Sequence, residues 1–420
     1  MLIELRVANH RSIREEVALT FSVGRGGTAD DLRPRVVDGW GEALLPVAAL
    51  YGANASGKSN LLSALAFVVE AVERSHRAWP VGGGVPRDPF AWGDPSAPSV
   101  FELTFLAEGV RYVYGFAADG QVFLEEWLHA WPHGHKQTWL SREGHRFSFG
   151  DKLKGENRII AGLTRPNALF LSAAAQMGHG QLGPVFRWIT GIAVDGVSSR
   201  HGDPPSTRLR HLERWGPSRP LFVSKPTPDE ADRAAFRAVL LGLLVAADTG
   251  IVDLRVVDDP AGSSRARVEL CHQAGAGEAA WLPLEEESRG TQALFHLAGP
   301  MIEIVQRGGV LVVDELERSL HPNLALALVR LFNDPALNPR HAQLLFSTHD
   351  TRLIGATLGE PALRRDQVWL TEKDLQGATQ LIPLTEYHPR KMENLERGYL
   401  QGRYGAVPVL GALLGVGALR

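Results

Sequence analysis

The chain opens with Leu2-Ile-Glu-Leu-Arg-Val-Ala, an alternation of apolar and charged positions that predicts a half-buried strand, and Val17 to Val23 reads as its hairpin partner. Leu45 to Leu50 differs: it is a short unbroken apolar run, the pattern of a strand buried on both faces. It leads through Gly52 into a helical stretch from Gly57 to about Glu73. From Ser99 to Phe149 several strand segments follow one another, among them Phe101 to Leu106, Tyr112 to Phe116 and Val122 to Trp127. Glu-Gly and Asp-Gly turns separate them and predict an antiparallel sheet. Ala168 to Ser172 predicts one more short strand before Gln176. The middle then changes character, with a helical stretch near Val185, a Pro/Arg/Ser-rich loop from Ser198 to Pro220 and a helix from Pro228 to Ala247. Two strands follow, Ile251 to Val257 and Arg265 to Cys271. Beyond Ser288 the pattern is α/β: a helix to Gln306, strand Val310 to Val313, helix Asn323 to Phe332, strand Gln343 to Phe346, helix Thr351 to Leu358 and strand Val368 to Leu370.

Composition narrows the class without naming a chemistry. At about 150 residues per domain, 420 residues amount to two or three domains' worth. With 44% hydrophobic and 22% charged residues the chain is expected to be soluble and folded. Lys+Arg total 44 against Asp+Glu 47, a net charge of -3, so the whole molecule has no field to draw in nucleic acid, and any such contact needs a local patch. The one cysteine, Cys271, excludes an intrachain disulfide and a multi-thiolate metal site, and fits a reducing, cytoplasmic setting. The charged N-terminus does not resemble a signal peptide. The apolar runs Ala238 to Ala247 and Val407 to Leu419 are shorter than the roughly 20 residues of a membrane span, so no membrane is expected.

Three strand ends then supply chemistry. Gly52-Ala53-Asn54-Ala55-Ser56-Gly57-Lys58-Ser59, followed by Asn60, matches G-x-x-x-x-G-K-[ST] between a buried strand and a helix. Glycines let backbone N–H groups wrap phosphates and the helix N-terminus adds partial positive charge; Lys58 reaches the terminal phosphates and Ser59 ligates Mg2+. Val310 to Val313 delivers two carboxylates, Asp314 for the hydration shell of Mg2+ and Glu315 to orient or deprotonate an attacking water. Phe346-Ser-Thr-His349 ends the next strand, and ligands gather at the carboxyl ends of parallel strands.

These residues together resemble an ATP-binding-cassette (ABC) ATPase of the non-transporter type, the group of the Rad50, SMC and RecF proteins. The resemblance implies ATP and Mg2+ as ligands and His349 as the residue sensing the γ-phosphate. It makes Ser319-Leu-His-Pro322 the loop after the carboxylates, and Ser288-Arg-Gly290-Thr-Gln292 the signature that binds the opposing subunit's nucleotide. It also implies that Arg11 and Ser12, in Asn9-His-Arg-Ser, lie against the nucleotide, and that Gln176 couples Mg2+ to lobe movement. More narrowly the order is similar to that of the prokaryotic RloA-like ATPases associated with phage defence. That likeness lies in the opening, in Ser288-Arg-Gly-Thr, in Asp314-Glu-Leu-Glu-Arg-Ser-Leu-His-Pro and in Tyr399-Leu-Gln-Gly-Arg-Tyr-Gly-Ala-Val-Pro. It implies companions such as small nucleases or toxins.

The expected architecture is therefore α/β: an ABC ATPase phosphate-loop fold with an antiparallel β subdomain and a mostly helical inserted lobe. The expected divisions are a first lobe over 1–177, the insertion over 178–287, the signature helix and second half of the core over 288–387, and a tail over 388–420. The leading expectation is an ATP-driven switch that dimerises head to tail and controls a partner effector. The alternative is a RecF- or SMC-like DNA-binding repair ATPase, for which Arg200, Arg208, Arg210, Arg214 and Arg219 around Trp215 are the support. Nucleic acid thus remains open as a partner. A transporter subunit ranks last, since Asn9 to Ser12 offers no aromatic platform for adenine, and no second acidic cluster supports a nuclease site. Lys58→Ala should abolish ATP turnover, measured as phosphate release.

Overall fold

The computed structural model describes residues 1–24, 31–197, 230–247, 250–258, 266–273, 279–318, 320–356, 359–390 and 393–408. The arginine-rich loop with Trp215, Ser319 and the end of the tail lie outside them.

The short apolar runs become a six-stranded core sheet in the order Ala193–Asp195, Val310–Val313, Gln343–Ser347, Val47–Gly52, Val368–Lys373, Thr379–Pro383. The first five strands are parallel and the last is antiparallel. The central strand, Val47–Gly52, is buried throughout because it faces two cores. Side chains alternate across a strand, so Ala48 and Leu50 enter one core while Val47, Ala49 and Tyr51 enter the other.

The first core is shared with helix Lys58–Arg74, whose Leu61, Leu65, Val68 and Val72 recur at helical spacing, and with a seven-stranded antiparallel sheet. That sheet runs Arg146–Phe149, Gln137–Glu143, Phe123–Trp131, Val110–Ala118, Ser99–Ala107, Leu2–Ala8, Val17–Thr20. Gln343 fastens the two sheets: its side-chain amide donates to the carbonyls of Leu2 and Leu45, and its Oε1 accepts the N–H of Leu2. The fold class is the expected α/β one, a phosphate-loop core sheet with an antiparallel subdomain. The described part of the insertion holds helix Glu230–Ala246 beside a three-stranded sheet, Ile251–Asp258, Ala266–Gln273 and Ala279–Pro283. The third of these strands was not expected, and the described part of the insertion, expected to be mostly helical, holds more strand than helix. Among the described residues no helix is long and apolar enough to cross a membrane.

Three expectations are corrected. The predicted strand at Ala168 to Ser172 is instead the start of helix Phe170–Gln176. Ala173, Ala174 and Ala175 favour helix, and a cap arrives from elsewhere: the fully buried Glu126 carboxylate accepts the N–H groups of Phe170 and Leu171 at 2.7 and 3.0 Å. The predicted helix from Thr351 is one 3-10 turn, Thr351–Leu353, stopped short of Gly355, which packs against Glu396. Residues 178–197, assigned to the insertion, belong to the core: Leu182, Val185 and Ile189 pack in the first core and Ala193–Asp195 pairs with Val310–Val313.

Glu126 also accepts the Tyr114 hydroxyl at 3.0 Å, and Arg142 lies 3.8 Å away with its guanidinium on the carbonyls of Gly144, Pro166 and Ala168. Burial raises the pKa of Glu126, opposed by Arg142 and the two amides. Glu126→Ala orphans these donors and the buried Arg142, and should cost about 3–5 kcal/mol, read as a lower urea midpoint.

Candidate functional site: a phosphate loop facing three carboxylates

The phosphate loop begins where Val47–Gly52 ends. A Cβ on Gly52 would lie 2.3 Å from Thr371 Oγ1, and one on Gly57, at φ +113°, would lie 2.1 Å from Thr379 Oγ1. Both positions therefore require glycine. Hydroxyls fix the loop from outside: Ser56 Oγ meets Thr371 Oγ1 at 2.6 Å, and Thr379 Oγ1 donates to the Ser56 carbonyl at 2.9 Å. Ser12 Oγ meets Thr379 Oγ1 at 2.7 Å and accepts Asn60 Nδ2 at 2.6 Å. Ser12 thus touches the loop's supports. Asn54, Ala55 and Ser59 are exposed at the mouth.

The N-cap, Gly57, has no side chain to cap the helix, and among the described residues the amides of Lys58 and Ser59 meet no acceptor. The buried Lys58 ammonium folds back onto the carbonyls of Gly52 and Ala53 at 2.8 and 3.1 Å. Free amides, a buried cation and a glycine-lined curve fit a polyphosphate. Burial lowers the Lys58 pKa, and Asp314, Glu315 and Glu317 act against that shift.

Those carboxylates stand two strands away. Ser347, closing Gln343–Ser347, donates its hydroxyl to Asp314 Oδ1 at 2.5 Å and accepts the Glu315 N–H at 2.7 Å. Glu315 takes φ +55°, a left-handed conformation that turns the chain at the strand end. Its side chain is exposed. His349 is exposed too, and its backbone N–H donates to Glu317 Oε1 at 2.7 Å. Burial lowers the His349 pKa, as does Lys58, while Glu317, Glu315 and Asp314 oppose them. Lys58, the three carboxylates and His349 therefore share one field. Among the described residues no group of three or more His, Cys, Asp and Glu side chains could hold a metal. Mg2+ fits this donor set, since it binds through one or two protein oxygens, here Ser59 and Asp314, and completes its shell with phosphate and water.

Four expected residues stand apart: Arg11, Gln176, Ser288 and Gly290. Arg11 is turned to Asp88, with Nε to Oδ2 at 3.1 Å and its N–H to the Asp88 carbonyl at 2.7 Å. Gln176, expected beside the metal, ends helix Phe170–Gln176 away from the loop. Its helix is tied to the far end of Lys58–Arg74, where Ser172 Oγ accepts the His76 N–H and Ser75 Oγ accepts the Leu169 N–H. A 17-residue helix is ~26 Å long, and Gln176 lies only ~6 Å beyond Ser172 along its own helix, too little to return to Ser59. Ser288 caps helix Arg289–Arg307, accepting the Thr291 N–H at 3.1 Å, with Gly290 in the first turn. This 19-residue helix, ~28 Å long, runs back along a four-residue strand of ~13 Å. Its exposed N-terminus thus stands about 15 Å past the strand end.

Sequence reading passed over Glu317, Ser347, Thr371 and Thr379. The first two sat inside quoted motifs, Asp-Glu-Leu-Glu and Phe-Ser-Thr-His; the threonines had no local signal.

The fold and site define a phosphate-loop nucleotide-binding protein. The chain belongs to the family described as "AAA domain, putative AbiEii toxin, Type IV TA system", whose model matches residues 47–355. No curated protein matches it. Among solved structures, an SMC head bound to the C-winged helix domain of ScpA is 14% identical, covers 91% of this chain and 97% of its own, and gives a TM-score of 0.46. The SMC head domain from Thermotoga maritima is 13% identical, with 91% and 98% covered and a TM-score of 0.40. The SMC head with an extended coiled coil bound to the C-terminal domain of ScpA, derived from Pyrococcus furiosus, is 12% identical, with 96% and 98% covered and a TM-score of 0.43.

Ser347→Ala removes the hydroxyl that bridges Asp314 and Glu315. It should weaken Mg2+ dependence by about 10–100-fold, read as the Mg2+ concentration giving half-maximal turnover.

Proposed function

We propose that the chain is an ABC-type switch that binds and hydrolyses ATP, closes head to tail with a second copy around two nucleotides, and controls a separately encoded nuclease or toxin in antiphage defence. The observation that carries this is the shared field of Lys58, Asp314, Glu315, Glu317 and His349 at neighbouring strand ends. It assembles a phosphate-binding cation, a metal-holding carboxylate and a base on one mouth.

In this reading the loop amides and Lys58 bind the β- and γ-phosphates, and Ser59 and Asp314 hold Mg2+, which neutralises charge on the phosphates when bound. The Glu315 carboxylate, exposed and turned out of the strand, orients the attacking water and takes its proton. His349, tied through its backbone to Glu317, faces the γ-phosphate. Ser288, exposed, and Gly290, half-buried in the first turn behind it, meet the nucleotide of the second copy. The family's toxin–antitoxin description supports a defence setting with a toxic partner.

Glu315→Gln keeps the binding groups and removes the base. With ATP and Mg2+ it should accumulate as a dimer by size-exclusion chromatography with light scattering. A variant that binds ATP yet stays monomeric sinks the clamp.

A further inference from the structure

The phosphate loop accounts for a nucleotide's phosphates and leaves its base without a partner. We infer that Trp92 is the stacking platform for the base of the bound nucleoside triphosphate, an inference that rests on the reading of the site given above.

The sheet order fixes the direction in which the nucleoside leaves the loop. Asp314, Glu315 and His349 end the strands on one side of Val47–Gly52, so the terminal phosphate points there. The nucleoside then lies over the opposite flank, formed by Val368–Lys373, Thr379–Pro383 and the turn between them. Trp92 is on that flank. A Cβ on Gly377 would lie 2.8 Å from Trp92 Cζ3, so the six-membered ring covers the backbone of this turn. Two residues on, about 7 Å at strand rise, Thr379 touches Gly57 and meets Ser12 Oγ, which also accepts from Asn60 Nδ2. The indole therefore stands one nucleoside's reach from the helix N-terminus.

Trp92 is 73% exposed, yet its mount is built. Phe90, itself buried, meets the indole edge to face at 5.5 Å between centroids. The loop from Asp88 to Pro98 is clamped by the turn that follows the first strand. Asn9 Oδ1 accepts the Phe90 N–H, Asn9 Nδ2 donates to the carbonyls of Ala97 and Pro98, and Arg11 holds Asp88 at two points. Arg87 adds bonds to the carbonyls of Pro95 and Ala97. A ring held this firmly loses little freedom on stacking. A π-face accepts any base, so the platform serves ATP and GTP alike.

The test is calorimetric titration of wild type, Trp92→Ala and Trp92→Phe with ATP, GTP and inorganic tripolyphosphate, each with Mg2+. Trp92→Ala should weaken ATP and GTP about five- to hundredfold and leave tripolyphosphate unchanged, with Trp92→Phe recovering most of the loss. Equal loss for all three ligands, or none for ATP, overturns the platform. So does a wild type that binds ATP no tighter than tripolyphosphate, while leaving the phosphate loop intact. A wild type that binds neither ligand refutes the nucleotide reading itself. Unchanged urea midpoints show that the variants fold.

Discussion

The contact of Thr379 with the phosphate loop is the constraint on which the rest depends. One threonine hydroxyl donates to the Ser56 carbonyl, meets Ser12 Oγ and occupies the space where a side chain on Gly57 would lie. Through it the last strand of the core sheet, the loop itself and the turn after the first strand are locked in one register. Each such bond contributes only about 1 kcal/mol net. Their value is positional: amides that must converge on phosphate oxygens tolerate little displacement, and a network of short bonds holds them there.

The other wall of the site is arranged by a single hydroxyl as well. Ser347 both donates to Asp314 and accepts the Glu315 N–H, so the two carboxylates are oriented by the neighbouring strand. Glu315 adopts a left-handed backbone, a conformation that costs a non-glycine residue on the order of 1–3 kcal/mol. The Ser347 bond and the Arg318 N–H on the Glu315 carbonyl offset that strain. The strained residue is the one proposed to activate water, and its side chain is exposed at the strand end.

What could be read in the sequence follows physical range. The phosphate loop, the two carboxylates at Val310–Val313 and the parallel core were legible because an apolar run ending in glycine or acid is a local signal. Helix Phe170–Gln176 was misread because Ala168 to Ser172 is apolar in either conformation, and what decides for helix is Glu126, more than forty residues earlier. Ser347, Thr371 and Thr379 carry no signature, since a strand hydroxyl becomes part of a site only when the sheet sets a loop beside it. Trp92 carries no local signal for the same reason: its ring lies against Gly377, nearly three hundred residues later.

That distance has a consequence for how the chain reaches its fold. The antiparallel strands from Ser99–Ala107 to Arg146–Phe149 pair with sequence neighbours and can form as soon as they are made. Val47–Gly52 cannot, because both of its partners, Gln343–Ser347 and Val368–Lys373, come from the last quarter of the chain. Closing such long loops precedes any reward from pairing, which makes this the slow step of folding. During synthesis the strand that will cradle the nucleotide therefore waits with two open apolar edges, the interval in which a nascent chain is most exposed to aggregation and most in need of a chaperone.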